Sequence, residues 1–180
     1  MQEVIAAKRL QGVGIAGVVV ALLLPILVAL PAYAQGATNA VCTLAFRLHF
    51  STGLSLTPST GSDGSGGETG SINCAGMFDG HRVMGPGAFG FQSTVYTSTC
   101  LGDTAAGNTY FFTVPTDAGP MHFVGTFSDI RIGLTIVVNG SQPGARASGV
   151  FVVVPTKGNC ITDPLTDAQG TGTAVFVHGP

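Results

Sequence analysis

Residues 41–50, VCTLAFRLHF, alternate with a period of two. Cys42, Leu44, Phe46, Leu48 and Phe50 share one face, and Thr43, Ala45, Arg47 and His49 take the other. An extended strand sends successive side chains to opposite sides, so this spacing predicts a half-buried β-strand. Leu54 and Leu56 continue it beyond Gly53. The same period returns at 109–114, where Tyr110, Phe112 and Val114 are in phase, and again at 121–128, 131–138, 147–154 and 171–177. Residues 72–78, 83–91 and 93–99 are further strand candidates, with Pro86 marking a bulge or an edge. No amphipathic helix of useful length follows residue 34.

Short strands at even spacing, bounded by turn residues, predict an all-β fold. The expected architecture is an antiparallel β-barrel of about eight to ten strands, with a β-sandwich as the alternative. Glycine inside so many strands favours the curvature of a barrel. Phe123, Gly125 and Phe127 on one face, against Val124 and Thr126, suggest glycine kinks where the sheet bends. The chain has no tryptophan, unlike immunoglobulin cores that pack one against a disulfide. Asp79-Gly80 reads as a turn, residues 102–108 as a polar turn, and Asn139-Gly140 as a two-residue hairpin. Residues 58–71, PSTGSDGSGGETGS, read as a flexible loop.

The first 34 residues have the order of a secretory signal. Lys8 and Arg9 are the basic start, residues 12–30 are apolar, and Ala32 and Ala34 stand at the two small positions before Gln35. An uncleaved membrane anchor is the alternative, since about 20 apolar residues can span a bilayer. Pro25, Pro31 and the glycines of the stretch weigh against it. The expected organisation is therefore a signal peptide over 1–34, a tail over 35–40, and one β-domain over 41–180. At 180 residues the chain suits one domain rather than two.

All four cysteines, Cys42, Cys74, Cys100 and Cys160, lie beyond the leader. An even count in an exported chain reads as two disulfides. Zinc is disfavoured, because no Cys-x-x-Cys or Cys–His cluster is present. Spacing does not choose among the three pairings. The expected one is Cys74–Cys100, joining neighbouring strands, with Cys42–Cys160 tying the first strand to the last third.

Charge excludes one class of partner. The chain has 7 basic and 9 acidic residues, and beyond the leader its one lysine is Lys157. Nucleic acid needs clustered Lys and Arg to neutralise phosphates. Anionic lipid also finds no basic stripe, so a membrane role would come only through an uncleaved leader.

Catalytic signatures are absent. There is no Gly-x-Ser-x-Gly elbow and no phosphate-binding glycine loop. Asp63 and Glu68 could contribute oxygens to calcium, but their spacing matches no calcium loop, and a solvated loop explains them. Asp117, Asp129, Asp163 and Asp167 fall in loops or at strand ends, where a glycosidase-like pair would be an accident of fold. Arg47, His49, Arg82 and His122 are candidate ligand-binding residues that could converge at a barrel mouth on an anion. The competing explanation is that they are ordinary outward-facing side chains. No cofactor and no metal is expected.

Four segments carry a resemblance: Ile72-Asn73-Cys74-Ala75-Gly76, Asp79-Gly80-His81-Arg82, Gly125-Thr126-Phe127, and Pro155-Thr156-Lys157-Gly158-Asn159-Cys160. Through them the chain resembles small secreted β-proteins of actinobacteria. The resemblance implies export and a compact β-fold, and no activity. The expected function is a secreted or cell-envelope, non-enzymatic protein that binds a protein or small-molecule partner or serves a structural role. One alternative is a carrier of a small hydrophobic ligand in a barrel lumen, with Phe46, Phe50, Phe112 and Phe127 among the lining residues. The other is a small extracellular enzyme.

Overall fold

A computed structural model describes residues 36–179, and the leader lies outside the described residues. Ten strands follow in chain order: β1 Asn39–Leu54, β2 Ser59–Gly64, β3 Gly70–Phe78, β4 His81–Arg82, β5 Gly87–Ser98, β6 Gly102–Thr116, β7 Gly119–Ile132, β8 Thr135–Gln142, β9 Ala145–Lys157 and β10 Leu165–His178. Every strand pairing is antiparallel. The sheet closes because β1 pairs with β10, from Asn39 opposite Val177 to His49 opposite Asp167. The fold is thus a closed antiparallel barrel, the architecture expected from glycine within the strands, and not the alternative sandwich.

Around the ring, β1, β10, β9, β8, β7, β6 and β5 each take one position. β3 and β2 share the remaining one, end to end between β1 and β5. This corrects the expectation for 58–71. Residues 59–64 are a strand, and the segment after it is pinned rather than loose. Ser65 N–H donates to the Phe91 carbonyl at 3.0 Å, and Phe91 N–H donates back to Ser65 Oγ at 2.9 Å. Glycine and serine look like a linker by composition, yet here they fit a position where neighbouring backbones come close.

Two turn readings also change. Residues 102–108 belong to β6, not to a polar turn. Asn139 and Gly140 lie inside β8, opposite Ser148 and Ala147 of β9 and Ser128 and Phe127 of β7. The hairpins turn instead at 133–134 and 143–144, where Gly133 and Gly144 have φ of 59° and 75°. Gly140 is needed for space, not for a turn. A Cβ there would sit 3.1 Å from the Tyr110 ring and 2.9 Å from the Thr126 carbonyl.

That use of glycine recurs. Five inward aromatic side chains stand directly opposite a glycine on the next strand: Phe46 with Gly170, Phe89 with Gly70, Phe151 with Gly172, Tyr110 with Gly125, and Phe127 with Gly140. Over Gly125, Gly170 and Gly172 the opposite ring itself covers the glycine, so a Cβ at Gly125 or Gly170 would fall 2.3 Å from the Tyr110 or Phe46 ring. A narrow barrel cannot place a large side chain on every inward position. Pairing large with nothing lets it close around aromatic residues.

One end of the barrel is sealed by apolar packing. Phe78, fully buried, touches Phe112, Phe123 and Phe176 at ring distances of 5.3, 4.9 and 5.2 Å. Thr38 and Asp79 close that end with reciprocal hydrogen bonds at 3.1 and 3.3 Å.

The other end carries the loops between β1 and β2, β5 and β6, β7 and β8, and β9 and β10. Here the disulfide expectation is corrected. The bonds are Cys42–Cys74 and Cys100–Cys160. Register explains the first, because Cys42 stands directly opposite Cys74 in the β1–β3 pairing. The second joins the β5–β6 loop to the β9–β10 loop. Going round the ring, β6 to β9 lie on one side of that bond, and β10, β1, the shared position and β5 lie on the other. The bond therefore crosses the mouth along a diameter.

Candidate functional site

The inward face of β7 changes character along its length. Phe123, Gly125 and Phe127 face the lumen, and then, in the same phase, so do Asp129 and Arg131. On β6 the inward row runs from Val114 through Phe112 and Tyr110 to Asn108, which is fully buried. A bulge between Ala105 and Asn108 then shifts the phase by one residue, which is what turns Asp103 inward opposite Arg131. Asp63 enters from β2, opposite Ser93 of β5. Four charged side chains and an amide thus collect inside the barrel at the loop-bearing end.

Arg131 and Asp103 form the fixed part of this cluster. Arg131 Nε donates to Asp103 Oδ2 at 3.0 Å, and the two side chains are only 5 % and 7 % exposed. The other guanidinium nitrogens donate to Ser98 Oγ at 2.6 Å and to the carbonyls of Thr99, Cys100 and Gly133. Ser98 Oγ donates to Asp103 Oδ2 at 3.0 Å. The arginine is therefore committed to the β5–β6 and β7–β8 turns. Its role is to hold the mouth together around a charge that burial alone would expel.

Asp63 and Asp129 make no ion pair of their own among the described residues. Together with Ser93 they form the polar border of a lumen cavity of about 70 Å³, otherwise walled mainly by rings such as Phe46, Phe91, Tyr110, Phe127 and Phe151. Burial pushes the Asp63 carboxyl up to about 6, assisted by the negative charge of Asp103 and opposed by the Ser93 hydrogen bond and Arg131. Burial pushes Asp129 up to about 7, assisted by Asp103 and Asp63 and opposed by Arg131 and Asn108. Asn108 Nδ2 donates to Asp129 Oδ1 at 2.8 Å. Near neutral pH each acid is poised between a form that donates a hydrogen bond and a form that only accepts them. Three oxygens of the cluster, Asp63 Oδ1, Asp103 Oδ1 and Asn108 Oδ1, are buried with no hydrogen-bond partner. Among the described residues, no group of three or more His, Cys, Asp or Glu side chains is arranged to hold a metal ion.

The four candidate residues from the sequence lie elsewhere. Arg47, His49, Arg82 and His122 are all on exposed, outward positions. His49 Nδ1 meets Asp167 Oδ1 at 2.9 Å, and that contact holds the Asp167 carboxyl below its ordinary range. His122 Nδ1 meets Thr113 Oγ1 at 2.7 Å, and the same hydroxyl donates to Glu68. None of the four bonds another of the four. Of the proposed lumen residues, Phe46 and Phe127 line the cavity. Phe112 belongs to the aromatic seal, and Phe50 is buried away from the cavity.

Residue order alone places Asp63 in a solvated loop and Asp129 in a loop or at a strand end, which gives neither a role in a site. The usable signal was phase: Asp129 and Arg131 continue the inward row of Phe123 and Phe127, and a charged residue on an apolar face has to be explained. Comparison with protein-family models, with curated proteins and with solved structures finds no match to the chain, so its site stands on this geometry.

Proposed function

We propose that this is an exported, non-enzymatic binding protein whose barrel lumen receives a small, largely apolar molecule. The observation that carries the reading is a cavity of about 70 Å³ walled by aromatic rings, with its polar groups gathered at one end. Ligand sites commonly combine an apolar wall with a few oriented polar groups. The volume is roughly half of the 150 Å³ apolar cavity that accepts benzene, so the guest has only a few heavy atoms. Two disulfides suit an oxidising, extracellular setting.

The test is ligand-detected NMR of the protein with xenon or isobutanol, alongside an Ala147→Leu variant that fills the cavity from its wall. Uptake by the parent and loss in the variant, at unchanged melting temperature, supports the reading. No uptake of either probe overturns it.

A second reading rests on the outer wall. Ile130, Val137 and Val150 are exposed and stand directly opposite one another across β7, β8 and β9. Ile132, Val152 and Val154 extend the row toward the loop-bearing end, all about half exposed or more. A contiguous apolar patch of this kind marks a docking surface. Val137→Ser with Val150→Ser should leave lumen binding intact and abolish any self-association seen by analytical ultracentrifugation.

A further inference from the structure

The polar end of the cavity has an imbalance of chemistry. The charged cluster there leaves three oxygens orphaned, all of them acceptors: Asp63 Oδ1, which belongs to a cavity-lining residue, and Asp103 Oδ1 and Asn108 Oδ1. Its one strong donor, Arg131, is already spent on Asp103, Ser98 and three backbone carbonyls. Asn108 is fully buried and the Asp103 side chain is 7 % exposed, so neither oxygen is served by open solvent. Buried acceptors without donors are costly, and evolution of a plain core would replace them by apolar groups. The charge is unbalanced in the same sense. Three carboxyls share one guanidinium, and that guanidinium pairs with Asp103, leaving Asp63 and Asp129 on the cavity lining, where the charge of Asp63 bears on Asp129.

We propose that the lumen recognises a small primary amine in its ammonium form, with the apolar body against the aromatic wall and the –NH₃⁺ between Asp63 and Asp129. This rests on the lumen-binding reading above and names the class of its ligand. An ammonium brings three donors and one positive charge to a site short of both. A single buried carboxylate repays the desolvation of an ammonium poorly, whereas two carboxyls with hydrogen bonds of their own repay it better. Asn108 fixes one of them from β6, and Ser93 steadies the other from β5. Asp63 from β2 and Asp129 from β7 line the site, and the charged groups that act on both are Asp103 from β6 and Arg131 from β7. Tyr110 is beside them, its hydroxyl turned away to Gln142 Oε1 at 3.1 Å. Arginine is the one group that would repel the guest, and its ion pair with Asp103 offsets it.

Binding must then couple to protons. The raised carboxyls hold part of their protons near pH 6.5, and an incoming ammonium favours the ionised form, so the guest displaces protons. A neutral guest displaces none.

The probes are isobutylamine, isobutanol and isobutyrate, titrated into the exported protein by calorimetry in buffers of different ionisation enthalpy and by ligand-detected NMR. The expected result is isobutylamine bound at least about tenfold more tightly than isobutanol at pH 8, with the preference falling toward pH 5. Proton release should accompany amine binding at pH 6.5, and isobutyrate should be rejected. Asp129→Asn and Asp63→Asn should each reduce amine affinity about tenfold or more while isobutanol binding persists, which shows that the variants are folded. Equal affinity for amine and alcohol, or amine binding without proton release, overturns the inference while the lumen reading stands. Preference for isobutyrate overturns it in favour of Arg131 as the recognising group. If none of the three probes binds, the lumen reading itself fails.

Discussion

Asp129 and Asp63 show how one inward side chain makes a protein respond to pH. Each folded-state carboxyl titrates higher than its ordinary 3.8, at about 7 and about 6. The folded state therefore holds protons that the unfolded chain has already released. The stability these groups contribute is complete below about pH 4 and is lost as pH rises through 6 to 7. The melting temperature should be higher at pH 5 than at pH 8, and Asp129→Asn should flatten that slope and raise the value at pH 8. Differential scanning calorimetry across the range checks both; a parent that melts higher at pH 8 than at pH 5 would contradict the assignment. Gly125 makes a second residue-scale case. A valine there would drive its Cβ into the Tyr110 ring, which is already held over the site by its neighbours. Overpacking of this order costs about 1–3 kcal/mol or more, so Gly125→Val should lower the urea midpoint clearly, while Val124→Ala, one residue away and facing outward, should not.

At the scale of elements, strand β7 does two jobs along one face. Its first half supplies Phe123 and Phe127 to the aromatic packing, and its second half supplies Asp129 and Arg131 to the mouth. Arg131→Met would leave Asp103 buried without its counter-charge. That should cost about 3–5 kcal/mol, a fall of about 10 °C or more in melting temperature. Adding Asp103→Leu to Arg131→Met should recover much of the loss, since removing both charges removes the uncompensated one. The strands themselves were legible in sequence. β1, β9, the first two thirds of β7 and the end of β10 follow from alternation, because a half-buried strand writes its two faces directly into the residue order, whereas the expected strand over 131–138 straddles the turn at 133–134 that divides β7 from β8. β2 was not legible, because a strand built from Gly, Ser and Asp has no apolar face to display. β6 was read short for a related reason: its bulge breaks the period at the point where the polar cluster begins.

For the whole molecule, closure matters most. Joining β1 to β10 removes both long sheet edges and creates an inside whose two ends differ. One end is sealed by Phe78 and its ring contacts, and the other is spanned by Cys100–Cys160. That bond closes a sequence separation of 60 residues and Cys42–Cys74 one of 32. By chain entropy each contributes roughly 4 kcal/mol. Replacing Cys100 and Cys160 with serine should lower stability by about that amount. It should also quicken backbone amide exchange in 99–101 and 158–164 while leaving the Phe78 end protected. Hydrogen exchange resolved by residue distinguishes this from uniform loosening.

The alternation of apolar and polar residues, by itself, determined that this chain forms strands, that they have one buried face, and that the fold is all-β. Local chemistry suffices for that, because a period of two depends only on neighbours along the chain. Which cysteines meet, where Asn139-Gly140 lies, and which acids share an interior were decided only by tertiary structure. Each depends on register between strands far apart in sequence. Cys42 finds Cys74 because β3 lies beside β1, and Asp63 and Asp129 line one cavity because closure of the barrel turns β2 and β7 onto the same lumen. Residue order contains no direct record of such distances, so the candidate site became visible only when the barrel closed around it.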